Sequence, residues 1–442
     1  MTTAETNQEK TGLGNYFVAN YPPFSFWKPD HVPAALAALN SPPQPNTPLG
    51  LYLHVPFCRK RCKFCYFRVY TDKNANDIEV YLDALLKEVE LYSKLRVVGG
   101  RPLQFVYFGG GTPSYLSATQ LRGLMSRLQA LMPWDGAEEV TFECEPGTLQ
   151  EHKLEALREM GVTRLSLGVE NFDYKILEYN GRAHHDEEIF RAYGWARTMG
   201  FDQINIDLIA GMVGETWDNW KRCIAKTIEL APESVTIYQM ELPYNTVFSK
   251  ELRLLGQDEP ATFSVADWPT KRAWVSYAFD ELARVVYEMS SAYTMVKDKQ
   301  RTKFVYRDSL WHGADMLGTG VASFGHVCGV HVQNVDQWED YVGQLGRGKL
   351  PLNRALPVTP RELLIREMIL QVKTGRLNDR DFRAKFGTSI LDEFAIEFRQ
   401  LESDGQLKFD GDSVTLTRAG LLQVDRLLPA FFQPEHRTTR YT

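Results

Sequence analysis

From about residue 49 onward, short runs rich in β-branched and aromatic residues recur at 50–55, 103–108, 139–144, 164–169, 203–208 and 234–239. Such runs bounded by turn residues read as strands. The stretches between them are amphipathic. Residues 78–95 place Ile78, Leu82, Leu85, Val89 and Tyr92 on one stripe, and 118–132 and 216–230 follow the same helical period. Six strand-then-helix units in this order predict a parallel sheet with right-handed crossovers, curled as a partial (βα)6 barrel. Ligands of such sheets bind at the carboxyl ends of the strands.

After about residue 245 the alternation fades, and 269–290 reads as one long amphipathic helix. From residue 357 a different pattern begins, with helical PRELLIREMILQVK, NDRDFRAKF and ILDEFAIEFRQLESDG followed by a hairpin that turns at Asp410-Gly411. This order resembles a winged-helix module. Residues 1–48 are rich in Pro, Asn and aromatics without clear periodicity, and read as an arm or lid. The expected division is 1–48 for the arm, 49–356 for the barrel with its extension and 357–442 for a mostly helical C-terminal domain and tail. The basic, aromatic end, 432–442, is expected to fold back over the pocket.

A chain of 442 residues with 44% hydrophobic content buries a large core, which excludes a disordered or fibrous protein. A formal net charge of −6 gives no basic field for nucleic acid, and the C-terminal helices carry no concentrated basic stripe. The substrate is therefore expected to be a small molecule. The opening MTTAETNQEK is unlike a signal peptide, and no run of about 18 apolar residues suggests a membrane span, so the protein is expected in the cytoplasm.

Three of the six cysteines crowd into Cys58-x3-Cys62-x2-Cys65, directly after the first strand, while Cys144, Cys223 and Cys328 stand alone. Three thiolates are one too few for a fully ligated cubane. The iron left open can take the amino and carboxylate groups of a ligand. A structural zinc site with His54 as fourth ligand is the competing reading. Gly109-Gly110-Gly111-Thr112-Pro113 follows the second strand, where missing Cβ atoms let backbone approach a ligand. Glu143 ends the third strand and could accept from a ribose or an ammonium group.

These marks, with RLSLGVE at 164–170, Gly181-Arg182 and INIDLIAG at 204–211, resemble the radical S-adenosylmethionine (SAM) superfamily. Within it, residues 50–430 are similar to the oxygen-independent coproporphyrinogen III oxidase family. The resemblance implies a [4Fe–4S] cluster on Cys58, Cys62 and Cys65 and two SAM molecules. It implies that Tyr52 and Gly110 face the first SAM, that Phe324 lines the adenosine, and that Phe64 and Glu143 are among the SAM-binding residues. Gly111, Thr112, Glu170, Arg182 and Asp207 would face the second, with Glu241 also among the SAM-binding residues. A one-electron donor such as flavodoxin or ferredoxin is implied as partner.

The chain departs from that family twice. After the third cysteine the oxidases read Cys-Gly-Cys-Asn, whereas this chain reads Cys65-Tyr66-Phe67-Arg68, and at Glu170 the family usually has Gln. These departures favour the class C methyltransferases, which share the same motifs. The expected reaction is transfer of a methyl-derived carbon, by methylation or cyclopropanation, to an sp² carbon of a planar aromatic or heteroaromatic molecule. Glu170, and Tyr52 beside the sulfonium, are the expected catalytic residues, with Glu170 as the base. The alternatives are a tetrapyrrole oxidase of the coproporphyrinogen type and a heme-binding carrier.

Overall fold

A computed structural model describes residues 17–243, 246–254 and 265–437. The six expected strands are present as β1 (Leu49–Val55), β2 (Leu103–Gly110), β3 (Glu139–Cys144), β4 (Arg164–Glu170), β5 (Gln203–Ala210) and β6 (Ser234–Gln239). They lie side by side in chain order and parallel throughout. The helix Ala75–Ser93 buries Ile78, Leu82, Leu85, Val89 and Tyr92 against them, and its Asn74 and Asp77 form a capping box.

The sheet extends beyond the six expected strands. Two short strands, β7 (Glu288–Met289) and β8 (Thr294–Val296), close one edge, β8 running antiparallel to β6. On the other edge β9 (Asp315–Thr319) joins β1 in parallel. It is followed by the antiparallel strands β10 (Phe324–Val327), β11 (Val330–Asn334) and β12 (Leu352–Pro357). The result is one 12-stranded sheet in which both edges of the parallel core are covered.

Two sequence expectations change. The helix expected over 269–290 is Trp268–Arg284, because the chain reverses at Val286, whose φ of 67° no helix accommodates. The described part of the arm, from residue 17, is also more ordered than its prolines imply. It contains the helix Val32–Leu39, buries Val18, Tyr21 and Trp27, and exchanges backbone hydrogen bonds between Lys28 and Ala355 of 2.9 and 3.0 Å. It therefore covers the β12 edge rather than hanging free.

Toward the C-terminus, the helices Pro360–Gln371, Asp379–Phe386, Ile390–Glu393 and Ala395–Ser403 stand with a small sheet. That sheet is built from β13 (Arg376–Asn378), β14 (Leu407–Asp410) and β15 (Ser413–Leu416) in the order β13-β15-β14. The described part of the tail meets the arm, with Tyr21 Oη 2.8 Å from His436 Nδ1, and 438–442 lie outside the described residues. No helix among the described residues is long and apolar enough to cross a membrane.

Candidate active site

The alternation of β-strands divides the barrel into a greasy outside and a polar inside. Leu51, Leu53 and Val55 of β1 are fully buried in the main core, while Tyr52 and His54 point the other way. Tyr52 stacks on Tyr107 of β2 with centroids 5.9 Å apart, and Tyr107 on Tyr306 at 4.2 Å. Phe105, Val305, Ala314 and Met316 form a separate apolar cluster against Tyr52 and Tyr306. Above these rings, at the carboxyl ends of the strands, the residue types change to thiols, carboxylates and guanidinium groups.

The cysteine loop is held by backbone bonds at several points. Cys58 N–H donates to Tyr70 O at 3.0 Å, Lys63 N–H to Asn180 O at 3.0 Å and Cys65 N–H to Cys62 O at 3.1 Å. All three thiols are free of disulfides and half-buried. Thr112 Oγ1 donates to Cys58 Sγ at 3.4 Å, and Arg182 Nη1 to Cys62 Sγ at 3.6 Å. Burial, reinforced by the neighbouring Cys62, pushes the Cys58 thiol up to about 11 and the Cys65 thiol up to about 12. A metal cluster would reverse this preference by binding the thiolates.

The donor set fits a site-differentiated cluster. Both ring nitrogens of His54 are engaged, with Tyr52 Oη at 3.2 Å and Arg68 O at 3.5 Å, so His54 is not free to act as a fourth ligand. Among the described residues no three Cys, His, Asp or Glu side chains close on one ion, a geometry that a cubane, with one thiolate per iron, does not require.

The glycine turn owes its composition to close packing. A Cβ on Gly110, whose φ is 109°, would lie 2.4 Å from the His54 ring, and one on Gly111 would lie within 2.9 Å of Val55 O and Phe57 O. Gly111 N–H donates to Val55 O at 2.9 Å and Thr112 N–H to Phe57 O at 2.8 Å, which brings the turn onto the cysteine loop.

Three carboxylates converge across the mouth. Glu143 accepts from Tyr107 Oη at 2.7 Å and from Gly110 N–H at 3.1 Å, and burial pushes it up to about 7. Asp207 accepts from Ser166 Oγ at 2.7 Å and Asn205 Nδ2 at 2.9 Å, and burial raises it too. Glu170 stands at a bulge in β4 with a φ of 64°, strained for a residue with a Cβ. Burial raises it to about 7 against the pull of Arg182, whose Nη2 is 3.7 Å away. Arg182 also donates to Gly168 O, and its buried Nε has no hydrogen-bond partner. Acidic walls and an orphaned donor suit a ligand carrying both a cation and a carboxylate.

The structure thus brings Cys58, Cys62, Cys65, Thr112, Arg182, Glu170, Glu143, Asp207 and the Gly110 turn to one end of the barrel. Three other expected residues have contacts outside this set. Glu241 accepts from Phe17 N–H of the arm at 2.6 Å, and burial pushes it up to about 8. The Phe324 ring packs on Phe24 at 4.4 Å and Trp27 at 5.6 Å. Phe64 joins Val213, Met240 and Phe248 in a small apolar cluster.

Sequence reasoning missed Glu145, which grips Arg59 of the cysteine loop through bonds of 2.6 and 3.2 Å. Burial alone would raise it, yet His184 and Arg59 hold it at about 2. Its place two residues beyond Glu143 was the available signal.

Comparison with known proteins agrees with this geometry. Residues 52–226 match the Radical SAM superfamily family model. The chain is 25% identical to an oxygen-independent coproporphyrinogen III oxidase of Synechocystis over 96% of its own length and 93% of the relative's. It is 28% identical to the heme chaperone HemW of Bacillus subtilis, over 86% of this chain and 98% of that one. The solved coproporphyrinogen III oxidase of Escherichia coli superposes with a TM-score of 0.79 at 24% identity, over 94% of this chain and 96% of that one. These matches overturn the expected transfer of a methyl-derived carbon, because the relatives that span the chain are named as oxidases or heme chaperones. The shared cysteine and glycine motifs carry no information on which carbon reacts. Residues 52–226 thus carry a radical SAM domain, whose cofactors are a [4Fe–4S] cluster and SAM, and along its length the chain is similar to coproporphyrinogen III oxidases and heme chaperones.

Proposed function

We propose that this radical SAM enzyme acts on a tetrapyrrole of the porphyrinogen class, as the oxygen-independent coproporphyrinogen III oxidases do. The observation that carries this reading is the extent of the match. The Synechocystis oxidase aligns over 96% of the chain and the Escherichia coli and Pseudomonas aeruginosa oxidases over 88% and 89%, against 86% for the Bacillus subtilis heme chaperone. A cluster and SAM, when bound, supply one electron and a 5′-deoxyadenosyl radical able to take hydrogen from an unactivated carbon.

The chain's own residues do the holding. Cys58, Cys62 and Cys65 offer one thiolate to each of three irons, and Arg59, clamped by Glu145, stiffens their loop. Glu143 would face the positive part of the first SAM, its ammonium or sulfonium, and Asp207 that of the second, with Tyr52 beneath the first sulfonium. Arg182, with its unpaired Nε, would meet the carboxylate of the second SAM. Glu170 stands beside Arg182 where a second SAM would lie. A small one-electron donor of the flavodoxin or ferredoxin kind would dock near Tyr66 and Phe67, exposed at 40% and 47% next to Cys65.

The same stretch favours a second reading. Phe67 stands where the oxidases carry a further cysteine, which leaves room for a heme-binding carrier. Anaerobic incubation of the reconstituted protein with SAM, a one-electron donor, coproporphyrinogen III and an electron acceptor for the electron released with each carbon dioxide separates the two. The proposed activity requires 5′-deoxyadenosine, carbon dioxide and a decarboxylated porphyrinogen. A Soret band on adding heme, with no porphyrinogen consumed, would assign the chain to the carriers.

A further inference from the structure

Inside the barrel, one rung below the carboxylates of the mouth, lies a cation that the cofactor chemistry has not used. Arg164 opens β4 and is 2% exposed, yet two of its guanidinium nitrogens, Nε and Nη1, have no hydrogen-bond partner. Its Cζ lies 4.1 Å from the centre of the Phe304 ring, a contact that accepts charge without satisfying a donor. A buried guanidinium left this way costs stability unless charges nearby compensate it.

The register shows where those charges are. Arg164 pairs with Thr141 of β3 and Gln203 of β5. Two residues further along those three strands, on the same face, come Ser166, Glu143 and Asn205, and Asp207 follows Asn205 by two more. Among the described residues Glu143 accepts only from a tyrosine hydroxyl and a backbone N–H, and Asp207 only from a serine and an asparagine. Glu139, at the other end of β3, accepts from Thr141 Oγ1 and the N–H groups of Val305 and Tyr306. Three carboxylates thus have neutral hydrogen-bond partners, and one buried guanidinium among them has two unpaired nitrogens.

We infer that Arg164 is a positioning residue: from within the barrel it supplies the countercharge that Glu143 and Asp207 lack among their hydrogen-bond partners, and so prepares the SAM cradle from below. The inference rests on the SAM contacts proposed above for those two carboxylates.

The other groups facing them do not replace it. Tyr52, Tyr107 and Tyr306 are neutral and held so by burial, and the partly exposed Tyr238 carries no cation either. Glu170 adds negative charge to both carboxylates' surroundings. Arg182 reaches Asp207 but is committed to Cys62 and Gly168. Arg164 is the cation that opposes the upward push of burial on Glu143, and it acts the same way on Asp207 and Glu139.

The test compares Arg164→Met with Arg164→Lys in anaerobically reconstituted holoprotein, using two readouts. The infrared band of the protonated Glu143 carboxyl, assigned by its loss in Glu143→Gln, is followed against pH without SAM. Equilibrium SAM binding is measured over the same range. Removing the charge should move the Glu143 midpoint up by about one pH unit and weaken SAM binding about tenfold near pH 7. Arg164→Lys should keep both within about twofold of the parent, with iron content and near-ultraviolet circular dichroism unchanged. A Glu143 midpoint that does not move in Arg164→Met overturns the inference, and so does equal damage by Met and Lys. If Glu143→Gln binds SAM as the parent does, the proposed SAM contact falls, and the infrared midpoint still decides the role of Arg164.

Discussion

Asp379 and Glu143 are both carboxylates withdrawn from water, one in the C-terminal helices and one in the barrel mouth, and the protein treats them in opposite ways. Asp379 accepts from Ile390 N–H at 2.7 Å, Leu391 N–H at 3.2 Å and Ser389 Oγ at 3.0 Å, and pairs with Arg383 at 2.6 Å. It pins one helix start to another and has nothing left to offer. Glu143 has two neutral donors and is pushed up to about 7 by burial. A buried charge fully answered by its own fold reads as architecture, and one answered in part reads as a place for a ligand.

The largest break in that contrast comes from the cluster loop. Replacing Cys58, Cys62 or Cys65 by Ser should abolish 5′-deoxyadenosine formation and lower bound iron and sulfide, while thermal unfolding of the C-terminal helices stays in place. Next, Asp379→Ala should cost about 3 kcal/mol in denaturant unfolding, since it leaves the N–H groups of Ile390 and Leu391 without their acceptor. Its SAM affinity should hold to within about twofold of the parent. Glu143→Gln should do the reverse, weakening SAM binding about tenfold with unfolding stability unchanged or slightly raised.

The smallest effect is on pH dependence. Glu143 and Glu170 are raised to about 7 in the folded state, so between their unfolded values and about 7 the native protein binds more protons than the unfolded chain. Their contribution is present in full at low pH and is lost as pH rises through about 7. Unfolding free energy should therefore fall from pH 5.5 to pH 8 more steeply in the parent than in the double variant Glu143→Gln, Glu170→Gln. Equal slopes would show that the two carboxylates are not the buried acids described here.

Much of this was legible in the sequence because it is local. The six parallel strands announced themselves by composition and spacing, and the cysteine and glycine motifs lie where the chain leaves β1 and β2. What escaped depends on tertiary partners. The helix Val32–Leu39 is a good helix former hidden by flanking prolines, and Trp268–Arg284 stops without glycine or proline because Val286 takes a left-handed turn. β9 is only five residues long and pairs with a strand more than 250 positions earlier. Arg164 did leave a trace, since Arg164, Ser166 and Gly168 alternate with Leu165, Leu167 and Val169 in a strand that a parallel sheet would otherwise make apolar on both faces. The assigned chemistry failed for another reason: motifs that hold SAM do not report which carbon reacts.

The most direct test of the account is electron paramagnetic resonance on anaerobically purified, dithionite-reduced protein before and after SAM is added. The account predicts a [4Fe–4S]⁺ signal that changes shape when SAM takes the iron left open by Cys58, Cys62 and Cys65. Stoichiometric zinc without acid-labile sulfide, or a cluster signal indifferent to SAM, would contradict it.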